Sequence, residues 1–586
     1  MELTPGIRFL TRNLVVPSIF VLLAHRAATW LGFGVSLWTV LLASVVAPIA
    51  FAVARNVAIE IHHRREAERL GARLAPRIAG KWPGNFDFVS KLLYEAEHGY
   101  LGDEICEVVA SLGPVVNIWP LWENLIFTTS PEHIQIILAT DFSNYVKGHK
   151  FRNAMESVLG SGVFNSDGEM WSFHRSMTRP YFTRDRVQHF EIFERNAAKV
   201  INHIKHRMRE GYAVDFQDLI GRFTMDAATE FLFGSCLNSL SAALPYPNNA
   251  AAGVAVQDSP HAQEASGFTR AFSEAISHIA FRERVGWIWP LYEVFADRTA
   301  RPMSVVMKYL DPVIHDALER NRLGKEAGTT EERENSTLLD ELIKSTSDLK
   351  VLKDEMRALP SSPLNILLAG RDTTMGVLTI AIYFLARHPN VTARLREEIL
   401  SCVGLTNAPT YDDIKRMKYL RAVINETMRL YPPVETVNAT TWPSPDPGKR
   451  PIYIPAGVKV PYSVMLMQRR TDLWGPDAGE FDPDRFLDER VQKYLVSNPF
   501  QFLPFNAGPR ICLGQQFAYN EMSFVLTRLL QNFSSVSLDL EAFPPDGRVP
   551  ADWKGKPGRK GIEQFRPRSH LTLHTRGGLW VKMAEA

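Results

Sequence analysis

One cysteine of this chain lies inside a stiff turn, Phe505-Asn506-Ala507-Gly508-Pro509-Arg510-Ile511-Cys512-Leu513-Gly514. Pro504, Gly508, Pro509 and Gly514 favour a tight wrap of backbone around the sulfur. A sulfur that ligates a heme iron needs that wrap, because only small residues let backbone N–H groups approach so closely. A helix over 515–530 would set its positive end beside the sulfur. That end is expected to lower the thiol pKa from its usual value of about 8.5. Arg510, two residues before the ligand, suits a heme propionate. A buried structural cysteine is the plainer reading of a lone Cys512. Phe505, Gly508, Arg510, Cys512 and Gly514 at fixed spacing outweigh it.

The decapeptide resembles the heme-binding loop of cytochrome P-450 enzymes at each defining position. Four further motifs precede it in the order that family shows. Trp171 and Arg175, four residues apart, reach one target from a helix face, and the resemblance implies a heme propionate. Ala369-Gly370-Arg371-Asp372-Thr373-Thr374 resembles the oxygen-activation site. There Thr373 can bond a neighbouring carbonyl and loosen the helix, and Asp372 can relay protons as a general acid. Glu426-Thr427-Met428-Arg429 and Pro483-Asp484-Arg485-Phe486 supply Glu426, Arg429 and Arg485, expected as a buried ionic triad behind the heme loop.

Other segments position these groups. Residues 115–119 and 125–129 read as two strands, followed by a helix capped at Ser130-Pro131-Glu132. Helical spacing occurs over 193–210, 338–344, 364–386 and 391–402, and strand-like pieces over 440–464. Residues 237–267 and 324–334 read as polar loops. The expected fold is mainly α with minor β: a large helical domain with a small β-rich N-terminal lobe. The resemblance implies the cytochrome P-450 fold, preceded by a transmembrane helix.

The chain has 586 residues and a formal charge of +2, which gives no sign of a nucleic-acid binder. Cys106, Cys236, Cys402 and Cys512 are scattered, without zinc-type pairs, and suit a reducing compartment. Residues 30–54 are uncharged and long enough to span a bilayer. Basic residues, Arg55, Arg64, Arg65 and Arg69 among them, follow the span, so the downstream domain is expected in the cytosol. The long span argues against a cleaved signal peptide. Whether 14–24 forms a second membrane segment stays open. The expected organisation is an anchor over 1–55, a basic polar linker over 56–82 and a catalytic domain over 83–586.

Two stretches depart from the family. Leu359-Pro360-Ser361-Ser362-Pro363 sets two prolines where relatives run one helix. Residues 357–363 read as an insertion from a gene-model or splicing artefact, which a cDNA retaining those codons would refute. Between Arg429 and Lys449 no Lys, Arg or His occurs, so one propionate contact of the family has no counterpart there.

The resemblance implies a dioxygen-dependent monooxygenase containing heme b. No glycine-rich dinucleotide fingerprint appears. Electrons are therefore expected from NADPH through a separate flavoprotein, NADPH-cytochrome P-450 reductase, with cytochrome b5 as a candidate second partner. The expected location is the endoplasmic reticulum membrane. Residues 505–518 most resemble fungal alkane and fatty-acid hydroxylases, which implies a lipophilic substrate. The candidate pocket regions are 142–163, 268–295, 364–369 and 434–439. A hydroperoxide-rearranging heme-thiolate enzyme and a noncatalytic heme binder are the alternatives.

Overall fold

The computed structural model describes all residues except 1–2, 33, 35, 183–189, 252–258, 327–336, 346–360, 435–441 and 445–447. Helices dominate it. The strands are short: β1 Arg73–Leu74, β2 Val115–Asn117, β3 Ile126–Thr128, β4 Val214–Asp215, β5 Ile452–Tyr453, β6 Phe533–Leu538, β7 Pro567–Ser569, β8 Leu573–Thr575 and β9 Trp580–Glu585.

A small β-lobe forms where β1 pairs parallel with β5 and β2 pairs antiparallel with β3. Single bridges, Leu125 to Lys459 and Thr128 to Tyr462, tie the two pairs together. β2 and β3 are the strands read over 115–119 and 125–129. Both are buried on every side, which explains their continuous apolar runs.

The helical body packs around Ser361–Arg387, a helix crowded by Phe216–Phe233, Lys418–Leu430 and Gln515–Asn532. Among the described residues, Leu364–Arg387 is long and apolar enough to cross a membrane, yet 83% of its apolar window is buried in the protein. Its hydrophobicity serves the core. Pro363 falls in the first helical turn, where no backbone N–H is needed. The chain can therefore start this helix directly after Pro360. The rest of the suspected insertion, 357–360, lies outside the described residues, as does most of the polar stretch 324–334.

Three boundaries differ from those read in the sequence. The apolar run 30–54 is not one helix. Val16–Trp30 ends, a turn with Gly32 at φ 87° intervenes, and Ser36 caps a new helix, Leu37–Arg69. That helix continues to Arg69, so the expected 56–82 linker is helical in its first half and joins the β-lobe at Arg73. Ion pairs such as Glu60–Arg64 run along its polar end. The third difference lies in the supposed loop 237–267. The helix Pro260–Val285 starts inside it, with Ser259 Oγ accepting from the Ala262 N–H at 3.2 Å and Pro260 at the first position. Its buried stripe begins with Ala262 and Ala265, too small to announce an apolar period.

Candidate heme-thiolate site

The Cys512 loop is built around backbone. The Cys512 N–H donates to the Phe505 carbonyl at 3.0 Å, and the Ile511 N–H to Gly508 at 3.1 Å. Asn506 sits at φ 64°, held by the Tyr462 hydroxyl, which donates to Asn506 Oδ1 at 2.9 Å. Gly508, at φ 65°, has no room for a side chain. A Cβ there would overlap the Leu138 carbonyl oxygen and lie 2.7 Å from its carbon. The Phe505 ring packs tilted against Tyr519 of the helix Gln515–Asn532, with ring centres 5.0 Å apart. Gly514 differs from Gly508. Its φ is an ordinary −82°, and an added Cβ would meet only Phe182 at 3.6 Å and the Cys512 sulfur at 4.0 Å. What its missing side chain keeps open is space beside the sulfur.

Cys512 is accessible at its surface and yet enclosed by protein at longer range, as befits a group lining a cleft. Burial pushes its thiol pKa up, against the pull of the Gly514 N–H and the Arg175 charge. The expected lowering by the helix end is thus not found in the polypeptide alone. Desolvation outweighs one N–H and a guanidinium. A coordinated metal ion would supply the missing charge, since a ligating thiol is deprotonated outright.

Trp171, Arg175 and Arg510 converge on this loop. Arg175 Nη2 donates to the Ile511 carbonyl at 2.8 Å. The Arg510 guanidinium lies 4.7 Å from the Trp171 ring centre, and that of Arg175 lies 5.7 Å from it. Sequence reasoning missed two members of the cluster. Asp167 accepts from Arg510 Nη2 at 3.0 Å and from the Lys147 and Gly148 N–H groups at 2.7 and 3.2 Å. Lys147 is driven down to a pKa of about 8, first by burial and then by Arg510. Asp167 precedes a helix start, Gly168–Thr178, which was a usable signal; a single lysine gave none. Lys147, Arg175 and Arg510 thus gather at this loop, with Asp167 paired to Arg510 and Glu283 within electrostatic reach of Lys147. Guanidinium groups beside an accessible cysteine fit heme b, whose two propionates carry negative charge.

In the central helix, Thr373 Oγ1 donates to the Ala369 carbonyl at 2.6 Å, the back-bond expected of a loosened helix. Gly370 would accept a methyl with nothing nearer than Ala228 at 3.8 Å. Asp372 is buried and held by Arg371 at 2.7 Å. Both line a cavity of about 720 Å³, together with Asp215, Ser273 and His570. Asp372 is therefore placed where solvent can reach the helix. One more acid was missed. Glu521, fully buried, is pushed up to a pKa of about 8 by desolvation, and its partner is Thr374.

Glu426, Arg429 and Arg485 are together and fully buried. Arg429 grips Glu426 through two bonds of 2.7 Å and spends its other donors on the carbonyls of Gln468, Ala478 and Glu480. Arg485 Nε approaches Glu426 only to 3.5 Å, and its stronger pairing is with Asp477 at 2.8 Å. Gln468 links this knot to the heme loop, donating to the Arg429 carbonyl at 2.9 Å and accepting from the Leu503 N–H at 2.9 Å. No basic residue stands between Arg429 and Lys449 to join them, and 435–441 lie outside the described residues.

Comparison with known proteins agrees with this arrangement. Residues 83–546 match the family described as cytochrome P-450. Cytochrome P-450 52E1 of Candida apicola is 34% identical over 78% of this chain and 84% of its own length. Cytochrome P-450 52A3-A of Candida maltosa is 36% identical over 72% of this chain and 78% of its own. Cytochrome P-450 monooxygenase himC of Aspergillus japonicus is 36% identical over 79% and 74%.

Proposed function

The chain belongs to the cytochrome P-450 family of heme-dependent monooxygenases, and from that premise we propose that it hydroxylates alkanes or fatty acids. Family membership brings heme b, a redox-partner reductase and a lipophilic substrate. The finer points belong to the proposal. The reductase is the NADPH-dependent flavoprotein, cytochrome b5 is a second donor, and the catalytic domain faces the cytosol from an endoplasmic reticulum membrane. The observation that carries the reading is the wrapped, accessible Cys512 beside the Arg175 and Arg510 guanidinium groups. The kinship of residues 505–518 with alkane and fatty-acid hydroxylases supports the substrate class.

When bound, heme supplies dioxygen activation and oxygen-atom transfer. The protein does the rest. Cys512 Sγ would ligate the heme iron, and the Gly514 N–H would temper its charge. Phe505, Gly508 and Gly514 shape the space around the sulfur. Arg510, Arg175 and Lys147, with the Trp171 ring behind two of them, would hold the propionates. The Thr373 hydroxyl can turn from the Ala369 carbonyl to hand on a proton. Asp372, on the solvent-reached side of the same helix, replenishes it.

Purified enzyme with reductase, NADPH and a series of alkanes and fatty acids tests the reading. Hydroxylated product is expected from at least one class; heme uptake with no product from either refutes it. In the same assay Thr373→Ala should retain the heme spectrum and NADPH consumption while product falls by on the order of 10²-fold. Unchanged product per NADPH would remove Thr373 from the proton path.

A further inference from the structure

The N-terminus does not trail away from the catalytic domain. Thr4 Oγ1 donates to the Val294 carbonyl at 2.5 Å. Gly6 is buried against the same turn, where a Cβ would overlap Val294 and come within 2.6 Å of the Pro290 oxygen. The Phe9 ring lies 6.1 Å from Trp287. From Pro5 the chain stays helical through Trp30, turns, and returns as Leu37–Arg69. The two rods pack on each other, and the short turn makes them antiparallel.

Both rods show apolar side chains to the outside. Leu14, Ile19, Leu22 and Leu23 are exposed on the first. Trp38, Leu42, Ile49 and Phe51 are exposed on the second. A soluble helix hides such a face, whereas a membrane helix displays it. At 1.5 Å per residue, 14–30 measure about 25 Å and 37–54 about 27 Å, close to a hydrocarbon core of about 30 Å. Charge sorts by end. Arg8, Arg12, Arg55, Arg64, Arg65 and Arg69 lie at the catalytic end, whereas the turn end has Arg26. Trp30 and Trp38, both largely exposed, flank the turn as interfacial aromatics do. Beside the clamped N-terminus, Trp287, Leu291, Tyr292 and Phe295 form an exposed apolar shelf, with Phe295 97% exposed.

We propose that residues 14–54 form a two-helix membrane hairpin that returns the N-terminus to the catalytic side, where residues 4–9 clamp the 286–295 turn and seat its apolar shelf on the lipid surface. The proposal rests on the membrane-anchor reading and makes 14–24 part of a second segment. A single span would leave Thr4 across the bilayer from Val294, and the clamp could not form.

The test moves one glycosylation cassette, an Asn-X-Ser acceptor in a flexible spacer, between two places in the full-length chain expressed in yeast. One copy replaces the turn after Gly32, and the other precedes Met1. The expected result is modification of the turn copy alone. If the copy before Met1 is also modified, the hairpin is wrong while the anchor stands as a single span. If neither is modified, nothing crosses the membrane and both readings fall. Modification of the copy before Met1 alone also overturns the hairpin.

Discussion

Glu426→Ala should destabilise the protein by about 3–5 kcal/mol, because it strands a buried arginine. Arg429 has no exposed surface and no other carboxylate among its bonds. The Asp482 N–H, which now donates to Glu426 Oε1 at 3.0 Å, loses its acceptor as well. Replacing Arg485 should cost less, because Glu426 keeps Arg429 and the partly exposed Asp477 can be solvated. Gln468 joins this knot to Leu503, just ahead of the heme loop, so heme should also escape faster. Urea unfolding followed by heme absorbance measures both effects. The exposed pair Arg394–Asp484 is the control; breaking it should cost about 0–1 kcal/mol. A loss at Glu426 no larger than at Asp484 would show that the buried group gains nothing from its partners.

Gly508→Ala is the second large effect. Two penalties add there. The left-handed backbone costs an alanine about 1–2 kcal/mol, and the methyl would have to displace the Leu138 carbonyl. Together they should reach about 4 kcal/mol. The substituted chain should accumulate without heme. Gly514→Ala separates geometry from cofactor. Its methyl meets only ordinary contacts, so unfolding of the heme-free chain should barely change. Heme affinity should still fall, because the methyl occupies space beside the sulfur. Equal heme affinity in Gly514→Ala and the parent would mean that heme does not approach Cys512 from that side.

The chemistry of the site was more legible in the sequence than its supports. Cys512, Arg510, Trp171, Arg175, Glu426, Arg429 and Arg485 stand in motifs whose spacing encodes their contacts, and the structure brings each set together. Asp167, Lys147 and Gln468 act through contacts between distant segments, and no local period reports such contacts. Helix ends were misjudged for local reasons. Ala262 and Ala265 bury a face without looking apolar. The glycine turn after Trp30 breaks a run whose composition alone reads as one span. The Cys512 thiol was misread in sign because burial, which no sequence prints, outweighs the helix end.

The reduced, carbon-monoxide-bound difference spectrum of the purified protein tests the central claim, that Cys512 ligates heme as a thiolate. The parent should show the strongly red-shifted Soret band of thiolate-ligated heme, and Cys512→Ala should lack it. A parent band at the position of histidine-ligated heme, or a red-shifted band that survives in Cys512→Ala, would contradict the assignment.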